Sequence, residues 1–348
     1  MAAATPPLPP APQAVDYAFL PLVSYAPETS VAIGGTVVLF DNGVVAKDAG
    51  PRQDDEISLS FTATWLRQFV AAVEALKYWK DGRYQLSGQT AAVRFPNRFW
   101  GVGNTTAEAA GDTYTQELLG LRLNFGVLVV ERLYAGMSVS GGLYGVGDVK
   151  PGGTVATYLA GRKHAGHLLG GGPFLRRDTR DDFIFPRKGS LTYLNMLASR
   201  RFLSSDYDYE IYELDQRNYL ALGQRTVLAF EGYARWAPGQ YIPIDDLSLL
   251  GGAARLRGYF EGRYRDRGYL MSQLEVRVHV AWRASLAPFF AVGDVYRSLG
   301  AVTLAHLKAA GGLGLRVNLK KEREFNLRVD YAQSSTSSAI YINLGEAF

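Results

Sequence analysis

Strict period-two alternation of apolar and polar residues recurs along this chain and constrains its fold more than any other feature. From Ile57 to Trp65, apolar side chains alternate with serine and threonine. From Leu119 to Gly126, leucine and phenylalanine alternate with glycine, arginine and asparagine. Because successive side chains of a β-strand point to opposite faces, each segment predicts a strand with one apolar and one polar face.

In the C-terminal third, the polar face also carries charges. Between Leu270 and Trp282 the apolar face is built from leucine, valine and tryptophan. The opposite face carries Gln273, Glu275, Arg277 and His279. The last segment is predicted to turn its apolar residues outward, namely Ile340, Ile342, Leu344 and Phe348. Soluble β-sandwiches also alternate, but charges sustained over many ten-residue strands favour a membrane barrel with a wet lumen.

The pattern predicts sixteen antiparallel strands. Their approximate bounds are 17–25, 31–41, 55–66, 68–79, 83–95, 112–126, 128–143, 165–178, 189–203, 206–222, 224–237, 267–282, 283–297, 305–319, 322–334 and 336–348. The sheet must close, because an open edge in hydrocarbon would leave backbone N–H and C=O groups unpaired. The predicted fold class is therefore all-β, a transmembrane antiparallel β-barrel of about sixteen strands.

The connections are predicted to alternate in length. Tight turns are expected at Lys80–Arg83 and Leu222–Gln224, whereas the longest breaks, near 146–164 and 238–266, are glycine-rich and should lie on one side of the membrane. Residues 154–163 are compatible with a short helix. The Pro-rich residues 1–16 are expected to be disordered, ahead of a barrel spanning 17–348. They lack the features of a signal peptide, which we expect to have been removed.

Composition excludes several function classes. The chain has no cysteine, which rules out disulfides, thiolate catalysis and cysteine-based zinc sites. The formal charge is only +4 and the basic residues are dispersed, so nucleic acid is not an expected partner. His164 and His167 would point to opposite faces of a strand, and no metal site is predicted there. No elbow motif brings Ser, His and Asp together, so neither an enzyme nor a cofactor is expected.

The most specific stretch is GGAARLRGYFEGRYRDRGYLMSQLEVR, between the predicted eleventh and twelfth strands, at 251–277. Within it, Leu256-Arg257-Gly258-Tyr259 resembles the Val-Arg-Gly-Phe/Tyr motif of outer-membrane assembly and translocation barrels, the BamA/TamA-type bacterial surface-antigen family. Three further segments support the resemblance: PLVSYAPET (21–29), FWGVGN (99–104) and FPRKG (185–189). The resemblance covers nearly the whole predicted barrel.

The resemblance implies a role for the motif arginine. In the family, a long sixth external loop folds into the lumen, where this arginine meets acidic residues of the wall. That position is Arg257 here, and Glu275, inward by alternation, is the matching acid. A guanidinium can clamp a carboxylate through two hydrogen bonds. Without the flanking pattern, an arginine on a solvated loop tip would be the simpler interpretation, but the pattern favours the clamp.

One family acid is missing from this chain. A further carboxylate usually follows in a Phe-Asp-x-Gly pattern, but this chain has Ala291 after Phe290. Asp294 lies at an odd offset and would face the other side of the strand unless a bulge intervened. The contact made by Arg257 is therefore expected to be weaker or rearranged.

The resemblance also implies a function and a location. Such barrels reside in the bacterial outer membrane, among lipid and lipopolysaccharide, and insert, assemble or translocate proteins or other envelope components through a lateral seam between first and last strands. Client β-strands and a periplasmic or outer-membrane protein are the implied partners. The family usually has polypeptide-transport-associated domains before the barrel, and only about 16 residues precede the first predicted strand. We therefore expect a short member or a clipped chain.

Two residues near the end bear on the seam. Gly345 could weaken the pairing of the last strand, or it could be a tolerated small residue of the lumen. Phe348 matches the terminal aromatic residue that sorts barrels to the outer membrane. The alternative function is a passive pore, or a structural barrel subunit that anchors a larger complex, since sixteen strands leave room for a channel.

Overall fold

The computed structural model describes residues 15–41, 55–182, 184–319 and 326–348. Sixteen long strands lie in these ranges: β1 (Val15–Ala26), β2 (Ser30–Asp41), β3 (Glu56–Thr64), β4 (Phe69–Trp79), β5 (Tyr84–Phe99), β6 (Asp112–Val130), β7 (Leu133–Gly147), β8 (Ala165–Asp178), β9 (Gly189–Ser199), β10 (Asp208–Leu222), β11 (Thr226–Trp236), β12 (Gly268–Ala281), β13 (Ala284–Tyr296), β14 (Lys308–Asn318), β15 (Asn326–Ser334) and β16 (Ser338–Leu344). Of the segment expected to be disordered, 1–14 lie outside the described residues, and Val15 and Asp16 already belong to β1.

Shorter elements fill the connections. They are helix α1 (Thr154–Leu159), short strands at Gly239–Tyr241, Ser248–Leu250 and Tyr264–Asp266, and 3-10 turns at Glu108–Ala110, Arg201–Leu203, Ile244–Asp246, Leu299–Ala301 and Leu304–His306. The observed helix is shorter than the segment 154–163 that the sequence made compatible with a helix, and Gly161, just after it, has a positive φ of 72°. Among the described residues, no helix is long and apolar enough to cross a membrane.

Each long strand pairs antiparallel with its neighbour in sequence, and β1 also pairs with β16. Even β11 and β12 pair along their length, from Thr226 opposite Val278 to Trp236 opposite Gly268, although a long loop separates them. The sheet therefore closes on itself. The predicted fold class, an antiparallel barrel of about sixteen strands, is confirmed.

The two faces of the wall follow the predicted alternation. Leu274 on β12 is exposed on the outside, whereas its neighbours Gln273 and Glu275 are buried inside. On β6, Leu119 and Leu121 are likewise exposed. The outer surface therefore suits lipid, and the charged side chains collect in the interior.

One hairpin differs from the prediction. A boundary was expected between 126 and 128, but β6 continues to Val130 and the chain turns at Glu131-Arg132. The four residues from Val127 are all apolar and supply no turn signal, so they extend the strand. Arg132 takes the positive φ, 60°, that the tight turn requires.

The connections divide between the two ends of the barrel. The predicted tight turns follow Trp79 and Leu222, with left-handed residues at Lys80, Asp81 and Gly223. The long loops 148–164 and 237–267 are separated by four strands and therefore share the opposite end. By the usual pattern of bacterial barrels, the short turns mark the periplasmic end and the long loops the external end.

The prediction that Phe348 faces outward is wrong. Strand β16 ends at Leu344, and Gly345 adopts a positive φ of 87° that breaks the alternation. The following residues turn into the barrel, where Phe348 is buried against Tyr219 and Ala229 of β10 and β11. Arg277 donates a hydrogen bond of 3.0 Å to the backbone oxygen of Phe348.

Candidate functional site

The motif Leu256-Arg257-Gly258-Tyr259 lies in the long loop between β11 and β12, in a tightly packed turn. Leu256 and Gly258 both have positive φ, 49° and 108°. A Cβ at Gly258 would lie 3.3 Å from the backbone carbon of Gln333, so only glycine suits this approach to the end of β15. Leu256 and Tyr259 are fully buried in one apolar cluster with wall residues such as Met271.

Arg257 bridges two wall strands through buried ion pairs. Its Nη2 donates to Glu275 Oε2 on β12 at 2.8 Å, and its Nη1 donates to Asp330 Oδ2 on β15 at 2.6 Å. The guanidinium carbon lies 3.5 Å from the centre of the Phe289 ring on β13. All three ionic side chains are fully buried. One side chain from the loop thus ties together three strands of the wall.

Further arginines share the same carboxylates. Arg316 donates to Asp330 Oδ1 at 2.5 Å and to Glu275 Oε2 at 3.2 Å, while Arg277 donates to Glu275 Oε1 at 2.9 Å. Arg328 is also buried, with its Nε 3.6 Å from Asp330 Oδ2. Desolvation offsets much of the attraction in such a cluster, and we expect the cluster to specify one arrangement of the loop more than to add net stability.

The structure brings together some of the sequence-predicted residues and not others. Arg257 and Glu275 meet, as the resemblance implied. Asp330 was not identified as a partner, although its inward position on β15 was visible in the alternation. Ala291 packs in the apolar cluster beside Leu256, and Asp294 instead accepts a hydrogen bond of 2.8 Å from Asn104 of the FWGVGN segment.

The motif also contacts the strand that closes the barrel. The backbone N–H of Gly258 donates to the hydroxyl of Tyr341 on β16 at 3.1 Å, and that hydroxyl donates to the carbonyl of Tyr259 at 3.3 Å. Ser337, in the turn before β16, donates to the carbonyl of Gly258 at 2.7 Å. The loop is therefore linked directly to the last strand, and sequence reasoning gave no sign of Tyr341.

The junction between β1 and β16 is the weakest ladder of the described barrel. In the part of the chain that the structure describes, its register contains only the pair Tyr25 and Ile342. By contrast, β1 pairs with β2 from Val15 opposite Asp41 to Ala26 opposite Ser30. The last strand has 7 residues, fewer than the roughly 9–11 typical of a membrane-crossing strand.

Gly345 lies just past this junction. A Cβ at this position would meet open space, so the positive φ of Gly345, rather than crowding, is what favours glycine. Its N–H donates to the carbonyl of Asn326 on β15 at 2.9 Å. Gly345 thus turns the chain toward the interior and ends the strand that β1 could pair with.

A buried carboxyl group occupies the turn between β1 and β2, beside this junction. Glu28 is 5% exposed, and its Oε2 has no hydrogen-bond partner among the described residues. The pKa of Glu28 is raised from 4.5 to about 8, mainly by its burial and to a smaller extent by the negative charge of Glu261 in the long loop. Tyr341 is the titratable side chain on the adjoining β16 that interacts with it. The folded protein therefore favours the protonated form of Glu28.

A pH-dependent stability follows. Since the folded-state pKa of this acid is raised, the stability contributed by Glu28 should be fully present below about pH 4.5 and be lost as the pH rises through about 8. At about 1.4 kcal/mol per pKa unit, a shift from 4.5 to about 8 corresponds to a total loss of about 5 kcal/mol. Thermal unfolding across this range should show the decline in the wild type and a smaller decline in Glu28→Gln. The exposed Glu131→Gln, at the other end of the barrel, is the control, and an unchanged pH profile in Glu28→Gln would contradict the assignment.

Comparisons with known proteins place this geometry in context. A model of the Omp85 superfamily domain matches residues 49–348. No curated protein matches the chain. Among solved structures, BamA from Haemophilus ducreyi lacking POTRA domains 1-3 superposes with a TM-score of 0.68 at 12% identity, over 95% of this chain and 70% of that one. CdiB from Acinetobacter baumannii gives 0.59 at 13%, over 95% and 60%, and CdiB from Escherichia coli gives 0.57 at 12%, over 97% and 68%. At these identities the likeness shows the shared fold.

Proposed function

The chain belongs to the Omp85 superfamily and is an integral β-barrel of the bacterial outer membrane, and from this premise we propose that it inserts, assembles or translocates polypeptides, or other envelope components, through a seam between β1 and β16. The short ladder at Tyr25 and Ile342 is the observation that carries the proposal. Because this junction has the fewest paired positions of the described wall, we expect it to need less free energy to open than the junctions between the other long strands.

An open seam offers a binding site of defined chemistry. The separated edges of β1 and β16 present unpaired backbone N–H and C=O groups, which a client strand can satisfy by adding to the sheet. Main-chain hydrogen bonds supply the binding energy, so no covalent chemistry, metal or cofactor takes part. The expected partners are client β-strands, surrounding lipid and lipopolysaccharide, and a protein that delivers clients from the periplasm or the membrane.

The long loop supports the same seam from inside. Its motif reaches Tyr341 and Ser337 at the last strand, while Arg257 holds it to β12 and β15. A loop held by these contacts fixes β16 relative to β12 and β15. It leaves β1 as the edge that moves.

Reconstitution tests the proposal. Vesicles containing the purified chain should accelerate folding of an unfolded outer-membrane barrel, measured by the client's protease resistance and its mobility without boiling. In planar bilayers, conductance should be small and intermittent, because the buried loop side chains Leu256 and Tyr259 pack against wall residues such as Met271 and we expect them to obstruct the lumen. Steady large conductance without client folding would assign the chain to the passive pores instead.

A further inference from the structure

A cavity of about 370 Å³ opens at the periplasmic end of the barrel interior. It lies among the turns that follow β8, β10 and β12, and the FPRKG segment contributes Phe185 and Pro186 to its wall. Both residues are buried. The proposed seam function makes no use of this cavity or of that segment.

The cavity is strongly basic. Its arginines and histidine are Arg187, Arg225, Arg277, Arg283, Arg316 and His279, and Glu346 is the acid that lines it among the described residues. Within the described part of the chain, Arg225 and Arg283 have no ion pair, and Arg283 lies over the Trp282 ring at 5.3 Å. Arg225 and Arg283, which form the rim of the cavity, therefore carry positive charge that no described acidic side chain neutralises.

The inner wall of the cavity already holds an acidic peptide segment, which is the turned end of this chain. Glu346 accepts hydrogen bonds of 2.8 Å from Arg316 Nε and 2.9 Å from Asn326 Nδ2, and it lies 3.6 Å from Arg277 Nε. Arg277 also binds the backbone oxygen of Phe348. Arg277 and Arg316 are both more than nine-tenths buried, so this part of the site is built and rigid.

We propose that this cavity binds an acidic peptide segment that enters from the periplasmic end and lies beside Glu346. Guanidinium groups of Arg225 and Arg283 bind its carboxylates, and the side-chain amide of Gln224 can bind its backbone. The cavity is lined by amide, apolar and basic side chains, and this mixture suits a peptide better than a bare phosphate group. A phosphate group has no apolar surface to pack against Phe185. The chain's own residues 345–348 show which chemistry the wall accepts.

This inference is independent of the seam. Peptide binding is measured on the closed barrel, so a variant whose β1 and β16 are crosslinked should bind as well as the wild type. If the wild-type chain binds the peptide but does not accelerate client folding, that result counts against the seam alone.

Fluorescence anisotropy with a labelled hexaglutamate peptide tests the proposal on the full chain in detergent micelles. The wild type should bind hexaglutamate and not hexaglutamine, with an affinity that falls as salt is added. Arg225→Gln combined with Arg283→Gln should weaken binding about three- to tenfold, as expected for two partly exposed charge pairs. Each single substitution should give a smaller loss, which keeps the test decisive if the double variant folds poorly.

Arg67→Gln is the matched control, because Arg67 is an exposed arginine in the external turn after β3. It should leave binding unchanged. Equal binding by the double variant and the wild type would overturn the site. So would equal binding of hexaglutamine, or tripolyphosphate binding more tightly than hexaglutamate with loss in the same variants, since that would make phosphate the ligand.

Discussion

Joining β1 to β16 through Tyr25→Cys and Ile342→Cys is expected to lower client insertion at least about tenfold, because the edges that receive a client strand can then no longer separate. The two positions are directly opposite in the ladder. Opposite residues of antiparallel strands lie about 4.5–5.5 Å apart at their Cα atoms, within the range that a disulfide spans. The chain has no other cysteine to compete for oxidation.

The measurement compares oxidised and reduced protein in the vesicle assay. A reductant should restore insertion in the crosslinked variant. Leu119→Cys with Leu143→Cys is the matched control, since these outward residues face each other in the β6–β7 ladder, far from the seam in sequence. Full insertion by a completely crosslinked β1–β16 variant would rule out opening at this junction.

Arg257→Ala is expected to destabilise the folded barrel by about 3 kcal/mol, the lower part of the range for breaking a buried ion pair. The loss should not be larger, because Glu275 keeps Arg277 and Arg316 as partners. Asp330 likewise keeps Arg316. Client insertion should fall as well, since the loop would lose its attachment to β12 and β15.

The temperature at which the folded form loses its fast mobility in unboiled electrophoresis measures this effect. Arg257→Lys should be intermediate, because an ammonium keeps the charge but cannot bridge both carboxylates with the same geometry. The exposed Arg67→Ala provides the control. Unchanged mobility and unchanged insertion in Arg257→Ala would show that the loop is held by other contacts.

Much of the fold could be predicted because the signal is local. Alternation within single strands assigned Leu274 to the lipid face and Glu275 to the interior, and the same rule applied strand by strand gave the number of strands. Tight turns rich in left-handed residues, as at Lys80 and Gly223, were also visible. Where an apolar run hid the turn, as at Val127–Val130, the boundary was misplaced.

The site was less predictable because its contacts are distant in sequence. Arg257 and Glu275 could be paired through the resemblance. The contacts that Asp330 and Tyr341 make with the motif could not be predicted, because they depend on how the loop crosses to β15 and β16. Alternation showed that Asp330 points inward without showing what it meets. Phe348 was misplaced because one glycine, Gly345, ends the periodicity on which the prediction relied.

The unequal strand lengths have a consequence for the surrounding bilayer. Seven residues in β16 reach about 23 Å along the strand, or about 18 Å across the membrane at the usual tilt of bacterial barrels, which is less than the roughly 25 Å apolar band. β6, with 19 residues, is far taller. We therefore expect hydrophobic mismatch on the β16 side to thin the adjoining bilayer and bring water closer to its midplane. A thinner bilayer lowers the free-energy cost of exposing polar backbone groups on that side of the barrel.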